Sequence, residues 1–204
     1  MRNLLYPLAY PIRRRQVLRR WRRRGRPAPP PAYFKHDHLK RIVDAQPRLQ
    51  TFIETGTWRG DTLYQLQNHF NKLHSIELNK ELYAAAQKRL SRFKHIQLWQ
   101  GHSPEVLPRI LTNLNSPALI WLDAHYMGGP RTGYGVCPTM AELSAIFTYL
   151  READRHIILI DDARNFTQLG DYPSLDEVTK HVKKHWPAYS VTVQDDMIHV
   201  QTRV

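Results

Sequence analysis

Five apolar segments of the chain end in residue types that bind ligands or transfer protons. Carboxylates accept hydrogen bonds from sugar hydroxyls and coordinate hard cations, and an imidazole accepts a proton near neutral pH. Glycines allow sharp turns and a close approach of the backbone to a ligand. In chain order, the segments end in Glu54-Thr55-Gly56, Glu77, Gly101-His102-Ser103, Asp123-Ala124-His125 and Asp161-Asp162.

The stretch FIETGTWRGDT (residues 52–62) places Gly56 and Gly60 after the first of these acids. Glu77 follows Gly56 by 21 residues, at the end of the next apolar segment, where an acid can accept hydrogen bonds from both hydroxyls of a ribose. The pattern E-x-G-x-x-x-G differs from the G-x-G-x-x-G of dinucleotide enzymes, whose glycines hold a pyrophosphate. It favours a nucleoside ligand without phosphates, such as S-adenosylmethionine (SAM); a glycine turn with only a structural role is the alternative.

The acids of the fourth and fifth segments predict a metal site. Asp123 follows the apolar run PALIWL, and Asp161 and Asp162 follow HIILI. Oxygen ligands from two neighbouring strand ends suit Mg²⁺ or another divalent cation, while helix N-caps or loop acids are the alternative. His125 is expected to lie nearby and to remove a proton from a metal-bound hydroxyl, in competition with a purely structural hydrogen bond.

Three other features favour roles outside catalysis. His181 and His185 have a spacing that can bind a metal, but the two lysines between them favour a solvated helix face. Cys137 is the single cysteine, so the chain has no internal disulfide, and a small inert side chain is its expected role. The segment GGPRTGYG (128–135) lacks the end of a P-loop and is expected to form a lid or substrate loop.

Strand and helix patterns alternate between these ends. Strands are predicted at 48–55, 73–78, 95–101, 117–124 and 156–163, and helices at 61–70, 79–93, 103–114, 138–153 and 174–186. Asn79 is the expected N-cap of the second helix, and Trp58 and Arg59 are expected at the start of the first. Segments 189–194 and 197–204 predict a hairpin that turns at Asp195-Asp196.

This order of elements predicts the fold class. Strand-helix units that close in an antiparallel hairpin indicate an α/β protein with a doubly wound, mostly parallel, Rossmann-like sheet. In such sheets, ligands bind beyond the carboxyl ends of the strands, at the point where the strand order reverses. All of the candidate residues are therefore expected at one edge of the sheet.

Positive charge is concentrated at the N-terminus. Of the net charge of +12, residues 1–31 contribute ten arginines and no acid, and the remaining residues hold 20 basic and 18 acidic side chains. We predict a basic, proline-rich extension over 1–32 and a folded domain over 33–204. Within the extension, a helix is expected to group Val17, Leu18 and Trp21 on one side, although Arg14 falls in the same stripe, and 25–32 is expected to be an extended spacer.

The expected location is the cytoplasm, with peripheral association at the inner face of the membrane. No run reaches the roughly 18 apolar residues of a membrane-spanning helix. The opening NLLYPLAYPI is broken by Pro7 and Pro11 and carries its positive charge after the apolar part, the reverse of a signal peptide. Arginines mixed with apolar side chains suit an anionic bilayer surface, and a disordered, solubilising extension is the alternative.

The motifs together resemble class I SAM-dependent methyltransferases, and in particular the metal-dependent macrocin-type sugar O-methyltransferases. The resemblance covers about residues 50–202 and is carried by IETGTWRGDT, SIEL, GHSPEVLP, WLDAHY and ILIDDAR. A related, uncharacterised bacterial group shares segments such as WLDAHYMGG, CPTMAEL and LIDDARNF.

The resemblance implies a seven-stranded sheet and a set of site residues. The residues implied to contact SAM are Glu54, Gly56, Thr57 and Gly60 around the methionine part, Glu77 at the ribose, Gly101, His102 and Ser103 at the adenine, and Asp123. The implied metal ligands are Asp123, Asp161 and Asp162, and the implied catalytic residues are Asp123 and the base His125. Histidines at 102 and 125 depart from acids common in the family, and the longer loop 126–137 leaves the substrate unassigned.

Three functions follow from these observations. The first is O-methylation of a sugar, glycan or related hydroxylated small molecule, assisted by a metal ion. The second is methylation of nucleic acid (RNA), which the arginine-rich extension favours and the nearly neutral domain argues against. The third is a non-catalytic protein at the membrane surface that has kept a methyltransferase-like fold.

Overall fold

The computed structural model describes residues 6–124, 137–168 and 170–202. Its helices are α1 (Tyr6–Arg23), α2 (Ala32–Ala45), α3 (Asp61–Leu66), α4 (Lys80–Leu90), α5 (Ser103–Leu111), α6 (Thr139–Tyr149) and α7 (Leu175–His185). Its strands are β1 (Thr51–Thr55), β2 (Lys72–Glu77), β3 (Ile96–Gln100), β4 (Ala118–Leu122), β5 (Ile157–Ile160), β6 (Tyr189–Gln194) and β7 (Met197–Thr202).

The seven strands form one sheet in the order β3-β2-β1-β4-β5-β7-β6. Strands β1 to β5 are parallel, and β7 runs antiparallel to both β5 and β6. From β1 the following strands, β2 and β3, are added on one side, and from β4 the following strands are added on the other side. The strand order therefore reverses between β1 and β4. The predicted fold class, including the antiparallel hairpin at the end, is confirmed.

Helices cover both faces of the sheet because its central strands are apolar on both sides. Every residue of β1, β4 and β5 is buried, as expected for strands enclosed between two helical layers. Within β1, Ile53 packs into the core under α5, α6 and α7, whereas Phe52 packs into the core under α2, α3 and α4. Successive side chains point to opposite faces, so one short strand contributes to both cores.

Short local signals set the ends of several elements. The side chain of Asn79 accepts backbone N–H bonds at the start of α4, which confirms the predicted N-cap. Asp195 and Asp196 turn the final hairpin with φ values of +52° and +65°, as in the two-residue turns that match the twist of paired strands. The start of α4 and the turn between β6 and β7 are thus both determined by residues close together in the sequence.

Helix α2 was missed by the sequence analysis. It begins after Pro31 and buries Leu39 and Val43 in the core beneath β1. Its pattern is less regular than that of the other helices because two histidines, His36 and His38, are buried on the same side as the apolar residues. This helix supplies side chains that prove important at the candidate site.

Helix α1 packs against α2 through the apolar side predicted from the sequence. Leu18 and Trp21 are buried, and the Trp21 ring lies 4.8 Å from the ring of Phe34. Arg14, which interrupts the apolar stripe, donates to both carboxylate oxygens of Asp37, at 3.1 and 2.5 Å. A bidentate pair of this kind explains why an arginine is tolerated on the packed side. Within the described ranges, no helix has the length and apolar content to cross a membrane.

Candidate functional site

A cavity of about 450 Å³ lies beyond the carboxyl ends of the parallel strands, at the reversal between β1 and β4. Its size suits a small organic ligand. The residues at the strand ends that line it are Gly56, Thr57, Glu77, Gly101, His102, Ser103, Asp123, Asp161 and Asp162. Each of these residues was predicted from the sequence to contact a ligand, and the fold brings them together around one space.

Another cavity, of about 520 Å³, lies among α1, α2 and the final hairpin, and Arg22, Arg26 and Arg41 contribute to its lining. Its lining does not include the polar residues that follow the parallel strands β1 to β5. The cavity at the carboxyl edge is therefore the candidate site, because position and chemistry agree there.

The turn after β1 holds its shape through close backbone packing. Gly56 has a φ of +87°, and a Cβ built on it would lie 2.5 Å from the carbonyl oxygen of Asp123. The N–H groups of Gly56 and Thr57 both donate to the carbonyl of Ile76 on β2. Gly56 is thus required by the approach of β1 to the end of β4. The sequence predicted a sharp turn and a ligand contact here, and Gly56 also lines the cavity.

Gly60 and Glu54, which were also predicted to contact the ligand, do not line the cavity. Gly60 precedes α3, and a Cβ at this position would lie 2.8 Å from the side chain of Leu90. Glu54 is 1% exposed and accepts a hydrogen bond of 2.7 Å from the hydroxyl of Ser75. Burial raises the pKa of Glu54 to about 8, so this carboxyl is neutral at pH 7 and lies beneath the cavity.

Trp58 forms part of the cavity wall, contrary to its predicted place at the start of a helix. It has a φ of +50°, is 47% exposed, and donates its backbone N–H to Glu77 Oε2 at 2.8 Å. The N–H of Asn79 donates to the other oxygen, Oε1, at 2.9 Å. Two backbone bonds therefore fix the carboxylate of Glu77 at the cavity, as a site for ribose hydroxyls requires.

A second buried acid, Glu142 on α6, contacts the residues that follow β3, and it was not among the predicted site residues. Ser103, at the start of α5, donates a hydrogen bond of 2.5 Å to Glu142 Oε1 on α6. Glu142 is fully buried, and burial raises its pKa to about 7. The sequence signal for this residue was an acid within the apolar run of α6. The hydrogen bond between Glu142 and Ser103 holds Ser103 in place at the cavity.

Asp123, Asp161 and Asp162 meet at the cavity, where the ammonium group of Lys35 lies among them. Lys35 Nζ forms an ion pair with Asp161 Oδ2 and lies 3.4 Å from Asp162 Oδ1. Burial and the nearby charge of Asp161 raise the pKa of Asp123 well above its ordinary value. Lys35 comes from α2, and no pattern around Asp161 in the sequence pointed to it.

This arrangement does not fit the divalent cation predicted from the sequence. Lys35 takes the position between Asp161 and Asp162, and Arg164 Nη1 donates to Asp162 Oδ1 at 2.9 Å. The chain's own cations thus contact Asp161 Oδ2 and Asp162 Oδ1, two of the oxygen atoms that a metal ion would need. Among the residues that the structure describes, no group of three or more histidine, cysteine, aspartate or glutamate side chains has the geometry of a metal site.

The prolines before α2 and the first turns of α2 form one side of the cavity. Pro29, Pro30 and Ala32 line it together with Lys35 and His36. Burial lowers the pKa of His36 to about 4, so its imidazole is neutral at pH 7. The predicted base His125 lies outside the described residues, as does the predicted lid at 128–135.

Solved methyltransferase structures share the fold of this chain. An O-methyltransferase from Bacillus cereus in complex with SAH aligns with a TM-score of 0.59 and 16% identity, over 93% of this chain and 90% of the other. The O-methyltransferase TomG from Streptomyces achromogenes, involved in tomaymycin synthesis and solved with SAM, gives a TM-score of 0.57 and 13% identity, over 93% and 89%.

A third solved structure with a similar fold is that of an rRNA methylase. An rRNA methylase from Streptococcus thermophilus aligns with a TM-score of 0.51 and 16% identity, over 87% of this chain and 99% of the other. No protein-family model and no curated protein sequence matches the chain. At identities this low, the likeness establishes the fold alone, a Rossmann-like fold that the chain shares with these methyltransferases.

Proposed function

We propose that the chain is a SAM-dependent methyltransferase that methylates an oxygen atom of a sugar, a glycan or a related hydroxylated metabolite. The observation that supports this most is Glu77, whose carboxylate is fixed at a cavity at the reversal point of the sheet. The methyltransferase structures with the same fold add support. In this proposal, Glu77 accepts hydrogen bonds from the ribose of SAM, and His102 and Ser103 border the adenine.

The reaction needs a nucleophilic oxygen held in line with the methyl group of SAM. The acceptor oxygen attacks the methyl carbon, the bond from carbon to sulfur breaks, and S-adenosylhomocysteine leaves. Asp123 lines the cavity and is the described residue best suited to take the hydroxyl proton. Burial raises its pKa, which makes its ionised form a stronger base than that of an exposed aspartate. Most of the acceleration is expected from positioning the two reactants, and no step requires a metal ion.

Replacing Glu77 by alanine is expected to weaken SAM binding at least about 100-fold. The change removes two hydrogen bonds from ribose hydroxyls to a charged group, each contributing about 1.5 kcal/mol or more. It also leaves the N–H groups of Trp58 and Asn79 without the carboxylate that orients the turn. Isothermal titration calorimetry with SAM, with and without Mg²⁺, measures the effect.

Glu81→Ala is the matched control, because Glu81 is an exposed glutamate on α4 only four residues further along the chain. It is expected to bind SAM as the unaltered chain does. If the unaltered chain does not bind SAM, or if Glu77→Ala binds it equally well, the assignment of the cofactor is wrong.

For the partner, we propose that α1 and the residues after it bind an anionic lipid surface. Eight arginines in this segment are exposed, and Ile12, also exposed, adds an apolar side chain that can enter a bilayer interface. The exposed arginines are Arg13, Arg15, Arg19, Arg20, Arg22, Arg23, Arg24 and Arg26. Since α1 packs on α2, such binding would hold the cavity close to a lipid-linked glycan substrate.

Vesicle flotation tests this proposal. The chain is expected to float with vesicles that contain phosphatidylserine and not with pure phosphatidylcholine. Replacing Arg15, Arg19 and Arg22 by glutamine should weaken binding about 100-fold, at about 1 kcal/mol for each basic residue. The control replaces three exposed lysines elsewhere, Lys88, Lys94 and Lys184, by glutamine.

Nucleic acid is the competing partner, because exposed arginines also bind phosphates. Tighter binding to a short RNA than to the anionic vesicles, at the same salt concentration, would favour the RNA methyltransferase over the membrane-associated enzyme. Methyl transfer to RNA and not to small hydroxylated acceptors would likewise favour the RNA methyltransferase.

A further inference from the structure

We propose that Lys35 is the resident cation of the acidic cluster and occupies the position in which a divalent metal ion would otherwise bind. The acidic cluster consists of Asp123, Asp161 and Asp162, at the ends of β4 and β5. The proposal concerns the cation in this cluster and holds whether or not the cavity binds SAM. It makes Lys35 a positioning residue and assigns the cluster to an ammonium group.

The contacts of Lys35 join distant parts of the chain. Its ammonium group bonds to Asp161, 126 residues away, and lies 3.4 Å from Asp162 Oδ1. The side chains of these three residues are only 16%, 3% and 14% exposed. An ion pair enclosed to this degree is screened weakly by water and salt, unlike the ion pairs of the surface.

Both carboxylate oxygens of Asp161 and the Oδ1 atom of Asp162 already have partners within the chain. Asp161 Oδ2 accepts from Lys35, and Asp161 Oδ1 accepts the backbone N–H of Asp162 at 2.8 Å. Asp162 Oδ1 accepts from Arg164, which also pairs with Asp196. A Mg²⁺ ion requires near-octahedral oxygen ligands and gives up its water reluctantly, so it would have to displace these donors.

The positive charge of Lys35 is stabilised by the negative charge of the acidic cluster. Three carboxylates lie close together, and burial raises the pKa of Asp161 while the charge of Lys35 lowers it. Displacement of the ammonium by a metal ion would leave a mostly buried lysine without its partners, which is costly. The ammonium and a divalent ion therefore compete for one position among the same carboxylates.

The packing of α2 holds Lys35 in this position. Its neighbours Phe34 and His36 face Trp21 and the cavity wall, and Leu39, one turn further along, is completely buried. A lysine on an exposed helix samples many rotamers, but here the backbone on both sides is fixed. The packing of α2 thus places the positive charge of Lys35 at the carboxyl ends of β4 and β5.

The test is direct measurement of Mn²⁺ binding to the full chain, by electron paramagnetic resonance in the absence of SAM. We expect the unaltered chain to show only weak, nonspecific binding. Lys35→Met should gain one site that binds Mn²⁺ at least about tenfold more tightly than this background. Lys35→Arg keeps a positive charge and should behave as the unaltered chain does. Lys40→Met, which removes a partly buried lysine on the same helix, should also gain no site.

Two outcomes would overturn the proposal. One is a folded Lys35→Met chain, judged by circular dichroism, that binds Mn²⁺ no better than the unaltered chain does. The other requires no lysine variant: Mn²⁺ binding by the unaltered chain that is lost in Asp161→Asn would show that the metal displaces Lys35. Because SAM is absent from both measurements, failure of the cofactor assignment leaves these results unaffected.

Discussion

Replacing Gly56 by alanine is expected to lower the free energy of unfolding by about 3 kcal/mol. Gly56 has a φ of +87°, and its added Cβ would lie 2.5 Å from the carbonyl oxygen and 2.9 Å from the carbonyl carbon of Asp123. Those atoms belong to the backbone at the end of β4, which cannot turn aside as a flexible side chain can. Urea denaturation, monitored by circular dichroism, measures the change.

Gly170→Ala separates the effect of backbone conformation from the effect of contact. Gly170 has a similar φ of +66°, but a Cβ built there meets no atom within 4 Å. Its replacement should therefore cost only the strain of the left-handed conformation, about 1 kcal/mol. If Gly56→Ala were no more destabilising than Gly170→Ala, the close approach of β1 to the end of β4 would not be the reason for the glycine.

A second large effect is expected from pH, through Glu54. Its pKa is about 8 in the folded chain, because burial favours the neutral form, and close to 4.5 when the chain unfolds. Between these values, the folded state binds a proton that the unfolded state does not bind. The contribution of Glu54 to the free energy of unfolding is therefore fully present below its unfolded pKa. It is lost as the pH rises towards 8, by up to about 1.4 kcal/mol per pH unit.

Glu54→Gln should remove this contribution, since glutamine stays neutral at every pH. We expect the variant to gain stability over the unaltered chain between pH 7 and 8, measured by urea denaturation at each pH. Glu142, Asp123 and Asp161 shift in the same direction, so part of the slope will remain. Glu81→Gln, an exposed control, should retain the full slope; a Glu54→Gln chain that did so as well would show that Glu54 is ionised in the fold.

The sequence predicted the sheet because its signals are local and repeated. The apolar run of β4 and the run of β5 are short, uninterrupted and followed by acids, and each property marks the end of a buried parallel strand. Once the strands were assigned, the rule for α/β sheets placed Glu77 and Asp123 at one edge without any knowledge of contacts. The residues around the cavity were predictable to the extent that they lie at strand ends.

Residues that reach the site from elsewhere were not predictable in this way. Lys35 meets Asp161 only after α2 has packed on the sheet, and Glu142 meets Ser103 across 39 positions. Trp58 was predicted at the start of a helix, but it has a positive φ, which a bulky residue rarely adopts. Backbone N–H bonds to Glu77 and Ile76 support this turn. Tertiary contacts overrode the local preference in each case.

The prolines that precede α2 have a consequence for how chains of this kind diverge. Pro29 and Pro30 line the cavity, although they belong to a segment whose composition differs from the rest of the chain. Terminal extensions are commonly gained, lost or exchanged by recombination, with little effect on the core they flank. In this chain such an exchange would replace part of the cavity wall, so a single genetic event could alter both the surface proposed to bind lipid and the shape of the cavity.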